Sequence, residues 1–83
     1  MPAHSHTFVE NYSGLIGFGL DRETDERTLI CYLQKFSDDR LVQALLPRLN
    51  ANELETIFAL ISSLLKTHLN ETEYHTLFLK DSP

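Results

Sequence analysis

The sequence predicts an all-α fold: a compact four-helix bundle with an irregular N-terminal arm. Three observations carry this expectation. Residues 50–69 repeat apolar side chains with the period of a helix. Cap-like starts recur at Asp21, Ser37, Asn50 and Asn70. Acids gather after those starts and bases near the predicted ends, which complements the helix dipole.

The most strongly marked element opens with Asn50-Ala51-Asn52-Glu53. An Asx cap three residues before a Glu can satisfy two orphan backbone donors. Leu54, Ile57, Phe58, Ile61, Leu64, Leu65 and Leu69 follow at the i, i+3, i+4, i+7 spacing of one buried face. Glu55, Thr56, Ser62, Ser63, Lys66 and Thr67 occupy the other side. This predicts a helix over 51–69.

The first clear helix is predicted over 22–36, capped by Asp21 or Thr24, with Leu29, Tyr32, Leu33 and Phe36 as its stripe. Cys31 projects away from that stripe and is expected in a secondary contact, since Cys packs as a small hydrophobe. A short helix over 38–46 follows. Pro47 ends it, because proline lacks a donor and disfavours a helical Leu46. Asn70-Glu71-Thr72-Glu73 repeats the capping pattern and opens a last helix over 71–80, with Tyr74, Leu77 and Phe78 inward. Short connections favour antiparallel neighbours. The expected core is Leu29, Leu33, Phe36, Leu41, Leu45, Leu54, Ile57, Phe58, Ile61, Leu65, Tyr74 and Phe78.

Residues 1–20 read differently. Met1 to Thr7 is polar and expected to fray, and a helical turn fits Phe8 to Tyr12. Gly14, Gly17 and Gly19 break helical propensity, yet Leu15, Ile16, Phe18 and Leu20 are too apolar for a free loop. An arm over 1–20 packed on a single helical domain over 21–83 follows. The glycines are in the wrong order for a dinucleotide loop, and no Lys-Ser or Lys-Thr comes after them.

With 83 residues and one cysteine, the chain has one modest core and no intrachain disulfide. A second copy of the chain is the natural supplement. A net charge of -5 opposes nucleic acid or an anionic membrane as partner. No apolar run approaches the roughly 20 residues that span a bilayer, and no signal peptide is evident. The reading is a cytoplasmic protein.

Chemistry is sparse. His4 and His6 alternate near the start, and His68 and His75 flank the last helix junction, in no known ligand spacing. Cys31 lacks a neighbouring base in sequence. Asp21, Glu23, Asp25 and Glu26 lack the EF-hand spacing and read as an acidic helix start. No catalytic residue, metal site or cofactor is predicted. A helix-turn-helix across Leu41 to Leu64 would present Glu53 and Glu55 to DNA.

From Gly14-Leu15-Ile16-Gly17-Phe18-Gly19 through Tyr74-His75 to Phe78-Leu79-Lys80-Asp81, the chain resembles a group of small uncharacterised bacterial cytoplasmic helical proteins. The resemblance implies a bacterial, cytosolic setting and brings no activity with it. Ile30, Leu46, Leu60 and Leu79 lie off their helical stripes. They are the candidate interaction surface, unless Leu15 to Leu20 cover them. The functional expectation is a non-catalytic protein-interaction module, a small regulator or adaptor that pairs as a homodimer. A nucleic-acid-binding helix-turn-helix regulator is the alternative, and a His-based metal binder a weaker one.

Overall fold

The computed structural model describes residues 6–81, and every regular element among them is helical. The fold is all-α. The chain divides into two units, Met1–Pro47 and Arg48–Pro83.

In the N-terminal unit, α1 (Thr7–Asn11) is the turn expected near Phe8, and the Phe8 and Tyr12 rings stack along it at 5.3 Å. Of the segment expected to fray, Thr7 opens this helix and Met1 to Ser5 lie outside the described residues. His6 is half-buried, and its Nε2 lies 2.7 Å from the Ser37 hydroxyl. His4 lies outside the described residues.

Helix α2 (Arg22–Phe36) starts at Asp21, whose carboxylate accepts from the Thr24 amide at 2.8 Å. Those bonds from the Thr24 amide and hydroxyl hold the Asp21 carboxyl below its ordinary range. The cap of α3 (Asp39–Leu45) is Asp38, one residue past the expected Ser37: it accepts from the Arg40 and Leu41 amides, while the Ser37 hydroxyl donates back to the Gln34 carbonyl of α2. A single 3-10 turn, Leu46–Arg48, then ends the run where Pro47 has no amide hydrogen to continue the ladder.

The side of α2 that is covered is not its apolar stripe. Thr28 and Cys31 are buried, at 3% and 4% exposure, while Leu29, Leu33 and Phe36 stay open to solvent. At 100° per residue, the covered side lies about 130° round the helix from that stripe. Residues 9–20 cover it through hydrogen bonds. The Val9 amide donates to Gln34 Oε1 at 2.9 Å, Gly17 pairs with Thr28, and the Gly19 amide donates to Asp25 Oδ1 at 2.7 Å. Cys31 is thus the centre of this unit's small core rather than a secondary contact. Gly19 has φ +93, a conformation side chains rarely adopt, and Gly14 lies under the Tyr12 ring, where a Cβ would clash. Gly19 is required by its backbone conformation and Gly14 by the close approach of the ring.

In the C-terminal unit, α4 (Ala51–His68) opens with a complete capping box. The Glu53 amide donates to Asn50 Oδ1 at 2.8 Å, and the Asn50 amide donates to Glu53 Oε1 at 3.0 Å. The same two bonds, with the same lengths, recur between Asn70 and Glu73 at the start of α5 (Glu71–Glu73). From Tyr74 to Leu79 the chain continues as a π-helix. It stops at Lys80, whose φ of 58° is left-handed, with the Asp81 amide turned back to the His75 carbonyl at 3.1 Å. The Lys80 ammonium donates to the Leu77 carbonyl at 2.8 Å.

The expected core of this unit is not enclosed. Phe58 is 74% exposed, and Leu54, Ile61 and Phe78 are open as well, while Ile57, Leu65 and Tyr74 are half-buried. In the N-terminal unit, Leu41 is exposed and Leu45 half-buried. These residues lie in helical segments as expected, but their apolar stripes are only partly covered.

Candidate functional site

The four residues singled out as off-stripe are all exposed: Ile30 on α2, Leu46 in the 3-10 turn, Leu60 on α4 and Leu79 in the π-helix. Ile30 and Leu46 belong to the N-terminal unit and Leu60 and Leu79 to the C-terminal unit. None of them lines the hollow between α4 and the last helical segment.

That hollow is a cleft of about 770 Å³ within the C-terminal unit. One wall is α4, through Phe58, Ile61, Leu65 and Leu69; the other is the last helical segment, through Tyr74 and Phe78. Local chemistry explains each wall. Phe58, Ile61, Leu65 and Leu69 are one helical face, spaced by three or four residues. The chain leaves the helix at Leu69, which is extended, and Asn70 restarts it in a new direction. The Tyr74 and Phe78 rings, four residues apart, stack with centroids 5.4 Å apart and planes 22° from parallel. Ser62, Lys66, Asn70 and Glu71 form the polar edge. The Asn70 side chain is engaged in its capping box.

Such a lining accepts apolar and aromatic side chains, with a few polar groups at the rim to orient them. Sequence reading identified all six of its apolar residues but assigned them to the core or to one helix face. It expected the restart at Asn70 but not the open cleft left between the two segments. The signal for the restart was present in the second Asn-x-x-Glu start.

His6, His75 and several of the acids are engaged locally. His75 Nδ1 lies 3.0 Å from Asp81 Oδ1. Arg22 pairs with Glu26 and Arg27 with Glu23, each one turn apart, while Asp21 and Asp25 accept backbone amides. Among the described residues no three His, Cys, Asp or Glu side chains come together as a metal site. A polar hollow in the N-terminal unit is lined by His6, Gln34, Ser37, Asp38 and Asp39. Ser37 and Gln34 are there engaged by His6, Val9 and the helix backbone. A 110 Å³ hollow beside Cys31 is bounded by Val9, Tyr12, Ile16, Tyr32 and Lys35. Among the described residues no helix is long and apolar enough to cross a membrane. The chain matches no protein-family model, no curated protein and no solved structure.

Proposed function

We propose that this chain is a non-catalytic protein-interaction module, a small cytoplasmic regulator or adaptor, that binds through the apolar face of its C-terminal unit. The carrying observation is the cleft between α4 and the last helical segment. Phe58 stands 74% exposed at its edge. A contiguous aromatic and aliphatic surface of this kind is unfavourable in water and marks an interaction site. The four-helix bundle that the apolar stripes call for is then completed with a second polypeptide. Apolar cleft with polar rim is the anatomy of a protein interface, where buried aromatics supply most of the affinity.

A photo-reactive phenylalanine analogue tests this. Placed at Ser62 in the cleft, it should capture a polypeptide in living cells. Placed at Thr56, on the polar side of α4, it should capture far less. No capture from position 62, or equal capture from both positions, overturns the reading.

A further inference from the structure

The seam of α4 reads the same in both directions. Ala51, Leu54, Phe58, Ile61, Leu65 and His68 are separated by three, four, three, four and three residues. That is the alternation of a coiled-coil seam, in which each residue inserts between residues of a facing helix. Because it is palindromic, two copies running in opposite directions bring every apolar residue into register. Leu54 then faces the partner's Leu65, and Phe58 faces the partner's Ile61, each twice about one two-fold axis.

Charge selects the same orientation. Glu55 and Lys66 are eleven residues apart, which places them within about 20° on the same flank of the helix. A two-fold antiparallel pair turns that flank onto itself reversed, so Glu55 comes beside the partner's Lys66 on both sides of the axis. A parallel two-fold pair would carry this flank and its copy to opposite sides of the pair, so Glu55 and Lys66 would not meet across it. Antiparallel pairing also opposes the two helix dipoles favourably.

The available surface is sufficient. Leu54, Phe58, Ile61 and Phe78 are each 43% exposed or more. Together they offer several hundred Å² per copy, on the order of the about 800 Å² per partner that a stable interface removes from water. The cleft adjoins the seam, so the N-terminal half of one α4 fills the cleft of the other, reciprocally. We infer that the occupant of the cleft is the α4 helix of a second copy of this chain, in a two-fold antiparallel pair centred between Ala59 and Leu60. This inference rests on the proposed role of the cleft and specifies the partner.

The test is orientation-specific cross-linking in the full chain carrying Cys31→Ala. Leu54→Cys and Leu65→Cys variants are purified separately, checked by circular dichroism, mixed and mildly oxidised. The mixture should give a disulfide-linked heterodimer, and neither variant alone should cross-link, because the antiparallel register holds identical positions far apart. Glu55→Lys should raise the dimer dissociation constant about tenfold, and adding Lys66→Glu should restore it. Light scattering on the unmodified protein should give a dimer mass at micromolar concentration. Cross-linking of Leu54→Cys with itself overturns the register, and a monomeric unmodified protein overturns the partner. If the protein is monomeric yet position 62 captures a different polypeptide in cells, the inference falls and the proposed function stands. If position 62 captures nothing, both fall.

Discussion

The Thr28 hydroxyl makes two hydrogen bonds to one residue, accepting from the Gly17 amide at 3.0 Å and donating to the Gly17 carbonyl at 3.0 Å. A single side-chain oxygen thereby satisfies both backbone polar groups of a glycine in an irregular segment. Valine has the shape of threonine without either bond. Thr28→Val should cost ~1 kcal/mol, since it removes both bonds from partly buried backbone groups. Thermal unfolding monitored by circular dichroism measures the loss, and a melting temperature equal to the parent's would refute the attachment.

Cys31 reports on the same attachment. It is a free thiol, buried beneath residues 9–16. Its reaction with a disulfide reagent should be much slower than that of a model peptide and should accelerate several-fold in Thr28→Val, because exposure governs access to the thiolate. Equal rates in the two proteins would show that the covering segment does not depend on Thr28.

Asp21 links α2 to pH. Its carboxyl is lowered in the folded chain by the bonds from Thr24. A depressed carboxylate contributes stability that is present above its unfolded value, near 3.9, and lost as pH falls through the lower folded value. Acidification below pH ~4 should therefore weaken the start of α2. Asp21→Asn keeps the capping acceptor but does not titrate. Its helicity should match the parent near neutrality and lack this acid-dependent component, as circular dichroism across pH 2–7 would reveal.

Leu60 is 57% exposed on α4, on the opposite side of the helix from the cleft. Leu60→Asp should leave the chain folded, because the charge remains in water rather than in a core. Lying about 130° round the helix from the centre of the proposed seam, it should leave pairing nearly unchanged, whereas Phe58→Asp should weaken it strongly. Helicity by circular dichroism and mass by light scattering separate the two effects. Unfolding of Leu60→Asp would place the residue in a core and contradict the exposure.

Helix boundaries were legible in the sequence because capping is local. Asp21, Asp38, Asn50 and Asn70 each act on amides two or three residues away. The N-terminal core was not legible. Apolar periodicity pointed to Leu29, Leu33 and Phe36, but the covering segment has no period of its own and attaches through Gln34, Thr28 and Asp25. Polar attachment leaves no hydrophobic signature. The cleft was half legible: Phe58, Ile61, Leu65 and Phe78 were recognised as one side of their helices, but whether a helix face is enclosed depends on how the chain turns at Leu69. The π-helical winding of residues 74–79 had no signal that periodicity could detect.

The paired capping boxes at Asn50 and Asn70 also bear on how the C-terminal unit acquires its structure. Each box closes over three residues, and the other side-chain bonds identified in this unit span at most six. Contacts so close in sequence require little loop closure before they form. Helical turns of this kind assemble within about a microsecond and elongate in nanoseconds per residue. Residues 48–81 should therefore become helical early, with Phe58 and its neighbours exposed before any partner arrives. Pairing would then be the slow, concentration-dependent step, and the kinetics of the final apolar burial would be second order in the chain itself.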